Sequence, residues 1–296
     1  MPIEGRNTVI NEMPNLTNEN IYMKNSNNVI KKIKKIREDG IDKLQVVSDF
    51  DLTMTKQHVN GKDVLSSFGI FYRCKQLPQT IKDSSTILYQ KYRPIEVDPH
   101  LALDEKIRAM EDWMQKTETM LQGIDFDKSE INEVAKIYGT SLRDGTMPLI
   151  QRLNVANVPV LVFSAGLGDV VKAVLENHNI LLDNVKIISN FLKFKNNKID
   201  GFKNDPLIHV FNKNEKALDP DYFKVLEDRT NVILMGDMTG DATMADGVKL
   251  AETILKIGFL YDNVQQKLPS YMDAFDIVLV DDQTMNVATD ILQQML

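Results

Sequence analysis

"VVSDFDLTMT", residues 46–55, is an apolar run that meets two aspartates one residue apart and continues into Thr53 and Thr55. In an extended chain, residues i and i+2 project from the same face, so Asp49 and Asp51 set two like charges side by side at the end of a buried strand. Such a pair is costly unless positive charge sits against it.

Runs of the same kind recur at 44–50, 158–166, 185–190, 231–237, 255–260 and 276–280. They are short, rich in Val and Ile, and read as strands buried on both faces. Between most of them lie amphipathic stretches such as "DVVKAVLENH" and "VQQKLPSYMDAF". Strands alternating with helices predict an α/β fold with a largely parallel, doubly wound sheet. The alternation stops between 58 and 145, where no strand pattern is found. That segment carries "LALDEKIRAMEDWMQKTETMLQG" and "DKSEINEVAKIYG", the latter opening with an Asp127–Glu130 spacing that suits a capping box. The reading is a core built from 1–57 and 146–296, with an all-helical cap, 58–145, inserted after the first strand. A connection of that length commonly covers an active site. A β-hairpin around Asn196 and Asn197 is expected in "NFLKFKNNKIDGFK" (190–203).

Composition narrows the function classes. The chain has 296 residues, 43% hydrophobic and 26% charged, which is ordinary for a globular protein with one large domain or two smaller ones. A formal net charge of −7 argues against a surface built to hold nucleic acid or anionic lipid. In the basic run "KKIKKIRED", Val29, Ile30, Ile33 and Ile36 recur at helical spacing, so the lysines form the wet face of a helix ending near Gly40. Cys74 is the only cysteine, which excludes an intramolecular disulfide and suits a reducing compartment. There is no leader pattern and no apolar run near the roughly 18 residues of a membrane span. A cytoplasmic monomer with a small-molecule partner is expected.

Ligands of open α/β sheets bind beyond the carboxyl ends of the strands. There the first strand delivers Asp49 and Asp51, the second Ser164 in "FSAG", and the fourth Asp237 and Asp241 in "GDMTGD", with Gly236 and Gly240 permitting a tight turn before "TMADGVKLAE". Oxygen-only carboxylate donors suit a hard cation such as Mg²⁺, which would relieve the Asp49–Asp51 repulsion; the histidines and lone cysteine show no zinc spacing. One carboxylate could then act as a nucleophile while its neighbour transfers a proton. Taken singly, each feature has a plainer reading. Paired aspartates cap turns, Ser164 caps a helix, Lys213 and Glu96 are solvated charges, Trp113 packs in a core, and His209 is a hydrogen-bonded core histidine.

Together, "DFDLT" (49–53), Ser164, Lys213 in "VFNK" and "GDMTGD" (236–241), in that order, resemble the four motifs of the haloacid dehalogenase superfamily of phosphatases. "YRPIEVDP" (92–99), "VLVFSAGLGDV" (160–170), "IHVFNK" (208–213), "MADGV" (244–248) and "YMDAFDIVLV" (271–280) resemble cytosolic 5′-nucleotidases of type III, also called pyrimidine 5′-nucleotidases. The resemblance runs from about residue 25 to the carboxyl end. It implies a Mg²⁺-dependent hydrolase of nucleoside 5′-monophosphates, with pyrimidine nucleotides (CMP, UMP) and 7-methylguanosine monophosphate as substrates and nucleoside phosphotransferase as a side activity.

Carried over residue by residue, the resemblance implies that Asp49 is the nucleophile and Asp51 the general acid and then base. The metal would be held by Asp49, the Asp51 carbonyl and Asp237. Ser164, Lys213 and the amides of Ala165 and Gly166 would hold the phosphate, while Asp241 orients Lys213 or a metal-bound water and Thr53 steadies Asp51 or its loop. Glu96 and Thr117 would contact the nucleotide. Trp113 and Met114 stand where the family meets the base, and Met114 departs from the aromatic usual there, so stacking on a cationic base would be weaker. Phe68 and Phe71 are candidates to compensate. Two alternatives stay open: a phosphatase for another small phosphate ester, and a nucleotide-binding protein without turnover.

Overall fold

The computed structural model describes residues 13–98, 100–213, 226, 228–246 and 251–295. Its strands are β1 (Ile21–Tyr22), β2 (Leu44–Ser48), β3 (His58–Val59), β4 (Lys62–Asp63), β5 (Val160–Leu167), β6 (Val185–Asn190), β7 (Leu192–Lys195), β8 (Lys198–Phe202), β9 (Asn231–Gly236), β10 (Thr253–Leu260) and β11 (Ile277–Val280). The described α-helices are α1 (Ser26–Asp39), α2 (Ser67–Phe71), α3 (Gln79–Val97), α4 (Leu103–Leu121), α5 (Ser129–Tyr138), α6 (Thr146–Val155), α7 (Gly168–Asn177), α8 (Val264–Ala274) and α9 (Asn286–Gln293).

Seven strands form the main sheet in the order β1-β11-β10-β9-β2-β5-β6, parallel except for β1. Successive side chains alternate between two cores. Leu44 and Val46 of β2 join Val160 and Val162, Ile233 and Met235 on one face; Val47 joins Leu161, Phe163, Val232 and Leu234 on the other. Helices α1, α7 and α9 cover the first face and α8 the second. On α1, Val29, Ile30, Ile33 and Ile36 form the buried stripe, worth about 6–12 kcal/mol as an upper estimate of transfer free energy. Asn25 caps its start by accepting from the Asn28 amide, and Gly40, at φ +85°, ends it.

All six strands expected from the sequence are present. The two-residue edge strand β1, antiparallel to β11, is too short to carry a readable period. The 58–145 segment is not wholly helical as expected, because β3 and β4 form a small hairpin turned by Asn60 (φ +52°) and Gly61 (φ +72°), a positive-φ pair suited to a two-residue turn. The Asp127–Glu130 capping box is absent as well. The Asp127 carboxylate accepts from the Ser129 amide, whereas Glu130 turns away to accept from the amides of Lys75 and Gln76 at 2.6 and 3.1 Å. The buried Glu130 carboxylate is satisfied by those two amides instead of by the helix start.

Within this segment α3 and α4 pack on each other, while α2 and α5 pack on α7 and share the core of the first sheet face. The expected hairpin is β7–β8, with Asn196 and Asn197 at φ +51° and +60°. Its backbone bonds the loop after α4 through Gly123 N to Ile199 O (2.8 Å) and Ile199 N to Ile124 O (2.9 Å), tying the insertion to the sheet domain. Of the helix expected over "TMADGVKLAE", Thr243 closes a 3₁₀ turn, Thr239–Thr243, residues 244–246 continue as a turn, and residues 247–250 lie outside the described ones.

Candidate active site

Sheet order sets the site. β2 lies between β5 and β9, with Ser48 in register with Val162 and Met235, so Asp49 follows beside Ser164, two residues past Val162, and Asp237, two residues past Met235. The Asp49 amide still bonds the Met235 carbonyl (3.0 Å), which fixes the carboxylate at the sheet's carboxyl edge. Lys213 is buried there, its Nζ 2.5 Å from Asp49 Oδ1 and 2.8 Å from Asp241 Oδ1. Asp241 also turns the loop after β9, its Oδ2 accepting from the amides of Met238 (2.9 Å) and Asp237 (3.2 Å). This loop closes only because residue 236 is glycine; a Cβ there would lie 2.3 Å from that of Asp241.

The chain bends sharply after Asp51. Leu52 adopts φ +62°, a conformation costing roughly 1–2 kcal/mol for an L-residue. Its amide donates to Thr55 Oγ1 (2.7 Å) and its carbonyl accepts from Arg143. Arg143 is buried against the face of Phe259, 3.8 Å from the ring centroid, and donates to the carbonyls of Leu52, Thr53 and Asp282. Burial pulls its pKa down to about 10. The bend aims the Asp51 carboxylate at Ser67, which donates its amide to Oδ1 (2.7 Å) and its hydroxyl to Oδ2 (2.6 Å).

Burial is the first electrostatic fact of the site. It lifts Asp49 to about 7 against the pull of Lys213, and it raises Asp51 despite the bonds from Ser67. Burial, then Asp49 and Asp241, hold Asp237 well above the carboxylate range. Lys213 also suffers from burial, but Asp241 and Asp49 outweigh it and keep the ammonium protonated. One oxygen from each of Asp49, Asp237 and Asp241 lies within 4.8 Å of the others. An all-oxygen carboxylate set of this size fits a divalent cation that prefers oxygen. The cluster contains Asp241, while the Asp51 carboxylate is engaged with Ser67, so any part Asp51 takes in holding a cation falls to its backbone carbonyl.

Above these groups opens a cavity of about 740 Å³. Asp49, Asp51, Ser164, Ala165, Gly166, Lys213, Asp237 and Asp241 line its floor region; Glu96, Trp113, Met114 and Thr117 line it from α3 and α4. Of the candidate residues, Thr53 and Phe71 are not in its wall. The Thr53 hydroxyl donates to Asp237 Oδ1 (3.4 Å) rather than to Asp51; steadying the loop is the other role expected of it. The Gly166 amide, expected on a phosphate, donates to Ser164 Oγ (3.0 Å). Glu96 pairs with Arg93, whose guanidinium stays protonated despite burial because Glu96 lies beside it. Trp113 both lines the cavity and stacks on Tyr92, centroids 5.7 Å apart at 14°. Phe68 is in the wall, whereas Phe71 packs on Phe126 in the core. His209 keeps its core position; burial pushes it down to about 4, and Nδ1 accepts from the Phe211 amide.

Sequence reasoning missed Ser67, Arg93, Arg143 and Tyr271, whose hydroxyl donates to the Asp237 carbonyl (2.5 Å). "SSFGIF" does carry a helix-start signal, and Ser66 is indeed the cap. An arginine in "SLRDG" carries none.

With this geometry in hand, comparison with known proteins is informative. The pyrimidine 5′-nucleotidase (UMPH-1) family model matches residues 52–296. A 7-methylguanosine phosphate-specific 5′-nucleotidase of Drosophila melanogaster is 45% identical over 96% of this chain and 89% of its own length. The Homo sapiens protein of the same description is 38% identical over 96% and 95%. The crystal structure of cytosolic 5′-nucleotidase IIIB bound to cytidine superposes with a TM-score of 0.92 at 44% identity, covering 97% of both chains. A substrate-bound phosphoserine phosphatase, 18% identical with a TM-score of 0.51 over 86% of this chain and 98% of its own, shares the fold. No described helix is long and apolar enough to cross a membrane. A parallel sheet with carboxylates at adjoining strand ends and a lysine seated against them, matched along nearly its whole length, means that the chain belongs to the pyrimidine 5′-nucleotidase family and is a hydrolase of phosphomonoesters.

Proposed function

We propose that the protein is a Mg²⁺-dependent nucleoside 5′-monophosphate phosphatase acting on CMP, UMP and 7-methylguanosine monophosphate through an aspartyl-phosphate. The observation that carries this reading is the placement of Asp49, Ser164 and Asp237 at the ends of neighbouring strands, with the Lys213 ammonium against Asp49, under one cavity that Glu96, Trp113 and Thr117 also line.

Lys213 holds Asp49 Oδ1, leaving Oδ2 to attack phosphorus. As that oxygen–phosphorus bond forms and the bond to the 5′-oxygen breaks, Asp51 delivers a proton to the departing oxygen. Asp51 then takes a proton from the water that displaces Asp49, restoring both carboxyl groups. Phosphoryl transfer is mainly positioning and charge neutralisation, and the Lys213 ammonium with the Ser164 hydroxyl supplies both on the protein side. Asp49, Asp237 and the Asp51 carbonyl would hold Mg²⁺, which neutralises phosphate charge when bound. A ribose hydroxyl taking the place of water gives phosphotransferase activity.

Residues 58–145 act in this reading as the cap that selects the base. Glu96 accepts from the donor-bearing edge of a cytosine, uracil or 7-methylguanine, with Arg93 balancing its charge. The Trp113 ring, backed by Tyr92, offers the aromatic face that Met114 lacks, and a cationic methylated purine gains most from it. Related proteins are named 7-methylguanosine phosphate-specific, and the neighbour of known structure holds cytidine. A Caenorhabditis elegans relative, 31% identical, is named a putative cytosolic 5′-nucleotidase, which favours a cytoplasmic setting.

The test is kcat/KM for CMP, UMP, AMP, GMP and 7-methyl-GMP with Mg²⁺. We expect the pyrimidine and methylated nucleotides to exceed AMP and GMP by about tenfold or more. A preference for AMP overturns the substrate assignment; phosphate release that survives in Asp49→Asn overturns the mechanism.

A further inference from the structure

Ser67 sits where three parts of the chain meet, and none of the motif residues accounts for it. It is fully buried at the start of α2, in the segment inserted between β2 and β5. Its amide and hydroxyl grip the two oxygens of Asp51 separately, at 2.7 and 2.6 Å. Its Oγ also accepts from the Leu167 amide at 3.0 Å, just past Ser164, Ala165 and Gly166. Residue 166 must be glycine for this contact, since a Cβ there would lie 2.0 Å from Ser67 Oγ and 2.6 Å from Asp51 Oδ2.

The hydrogen-bond inventory gives the junction a direction. A serine hydroxyl has one hydrogen to donate. The Leu167 amide can only donate, so Ser67 Oγ accepts from it and sends its own hydrogen to Asp51. Each Asp51 oxygen thereby has one lone pair occupied by Ser67, and a proton carried by Asp51 is left the other lone pairs, on the side away from Ser67. The carboxyl cannot rotate without breaking two hydrogen bonds at once.

We propose that Ser67 is a positioning residue for proton transfer: by holding both oxygens of Asp51 it makes the general acid competent only when the inserted segment is seated on the strand ends. This rests on the reading of Asp51 as the acid and base. It adds that the inserted segment, beyond shaping the substrate pocket, takes part in assembling the reacting groups.

The test separates leaving groups that need a proton from those that do not. CMP is compared with its bridging-sulfur analogue, 5′-deoxy-5′-thiocytidine 5′-S-phosphate, whose thiolate departs with little need of an acid while the nucleoside is unchanged. In Ser67→Ala we expect kcat/KM for CMP to fall by about 10- to 100-fold, a fraction of what general acid catalysis supplies, and that for the thio analogue to change less than about threefold. Ser67→Cys, close in size and a poorer donor, should lie between, and it decides the matter if the alanine variant does not fold. Asp51→Asn is run beside them. Equal losses on both substrates, or none on either, in the serine variants while Asp51→Asn loses CMP selectively would overturn the role of Ser67 alone. An Asp51→Asn variant without selective loss would instead remove the acid–base reading beneath it.

Discussion

Replacing Asp49 by asparagine should abolish turnover and, in the metal-free protein at alkaline pH, raise stability. Asp49 is 5% exposed, and burial moves it from 3.8 to about 7 even with Lys213 bonded to it. The folded state therefore binds more protons than the unfolded state between these values. Stability from this group is highest near pH 4, falls as pH rises toward about 7, and levels off above that. The span corresponds to about 4 kcal/mol of cost for the ionised carboxylate at pH 8. Asparagine is neutral throughout and can still accept from Lys213, so about 2–4 kcal/mol should be recovered, or roughly 3–6 °C in Tm for a chain of this size. The assay is thermal or urea unfolding of both proteins in chelator at pH 5 and pH 8, then again with Mg²⁺. We expect a clear advantage for Asp49→Asn at pH 8 that shrinks at pH 5, and a reversal with Mg²⁺, which stabilises the native protein by binding it preferentially. A variant no more stable than the parent at pH 8 in chelator, or equally favoured at both pH values, refutes the argument that buried charge at the strand end is held against the fold's preference.

Gly166→Ala should cost about 100-fold in kcat/KM on CMP with little change in Tm, because the added methyl displaces Ser67 or Asp51 and leaves the sheet untouched; steady-state kinetics beside a melting curve checks both halves. Arg143→Met should lower stability by about 3–5 kcal/mol, since the carbonyls of Leu52, Thr53 and Asp282 lose their donor at roughly 1–3 kcal/mol each and packing on Phe259 offsets only part; urea unfolding reads this directly. Trp113→Ala should raise KM by about 10- to 100-fold with a smaller effect on kcat, the cost of about one base–aromatic stack, and the loss should be greater for 7-methyl-GMP than for UMP.

Much of the fold was legible because its signals are local. The strands of the sheet interior are short apolar runs, and three of them, β2, β5 and β9, carry at or near their carboxyl ends the residues that face the cavity: Asp49 and Asp51, Ser164, Asp237. The misses have separate physical origins. Glu130 stands at capping-box spacing from Asp127, but the unpaired amides of Lys75 and Gln76, more than 50 residues away, claimed its carboxylate. Asn60–Gly61 turned a two-residue hairpin too short for any period to betray. Thr53 follows Asp51 by two residues, yet its hydroxyl donates to Asp237, 184 residues further along the chain.

By itself the sequence determined the alternation of strand and helix, the carboxylates at strand ends and the order of the motifs, since these depend on neighbouring residues and on the solvent preference of side chains. Only the tertiary structure decided that β2 lies between β5 and β9, that Lys213 spans Asp49 and Asp241, and that Ser67 and Arg143 fix the two sides of the "DFDLT" turn. Those partners are 16 to 164 residues apart along the chain. They meet because packing two cores on one sheet leaves buried polar groups that must find partners wherever the fold brings them.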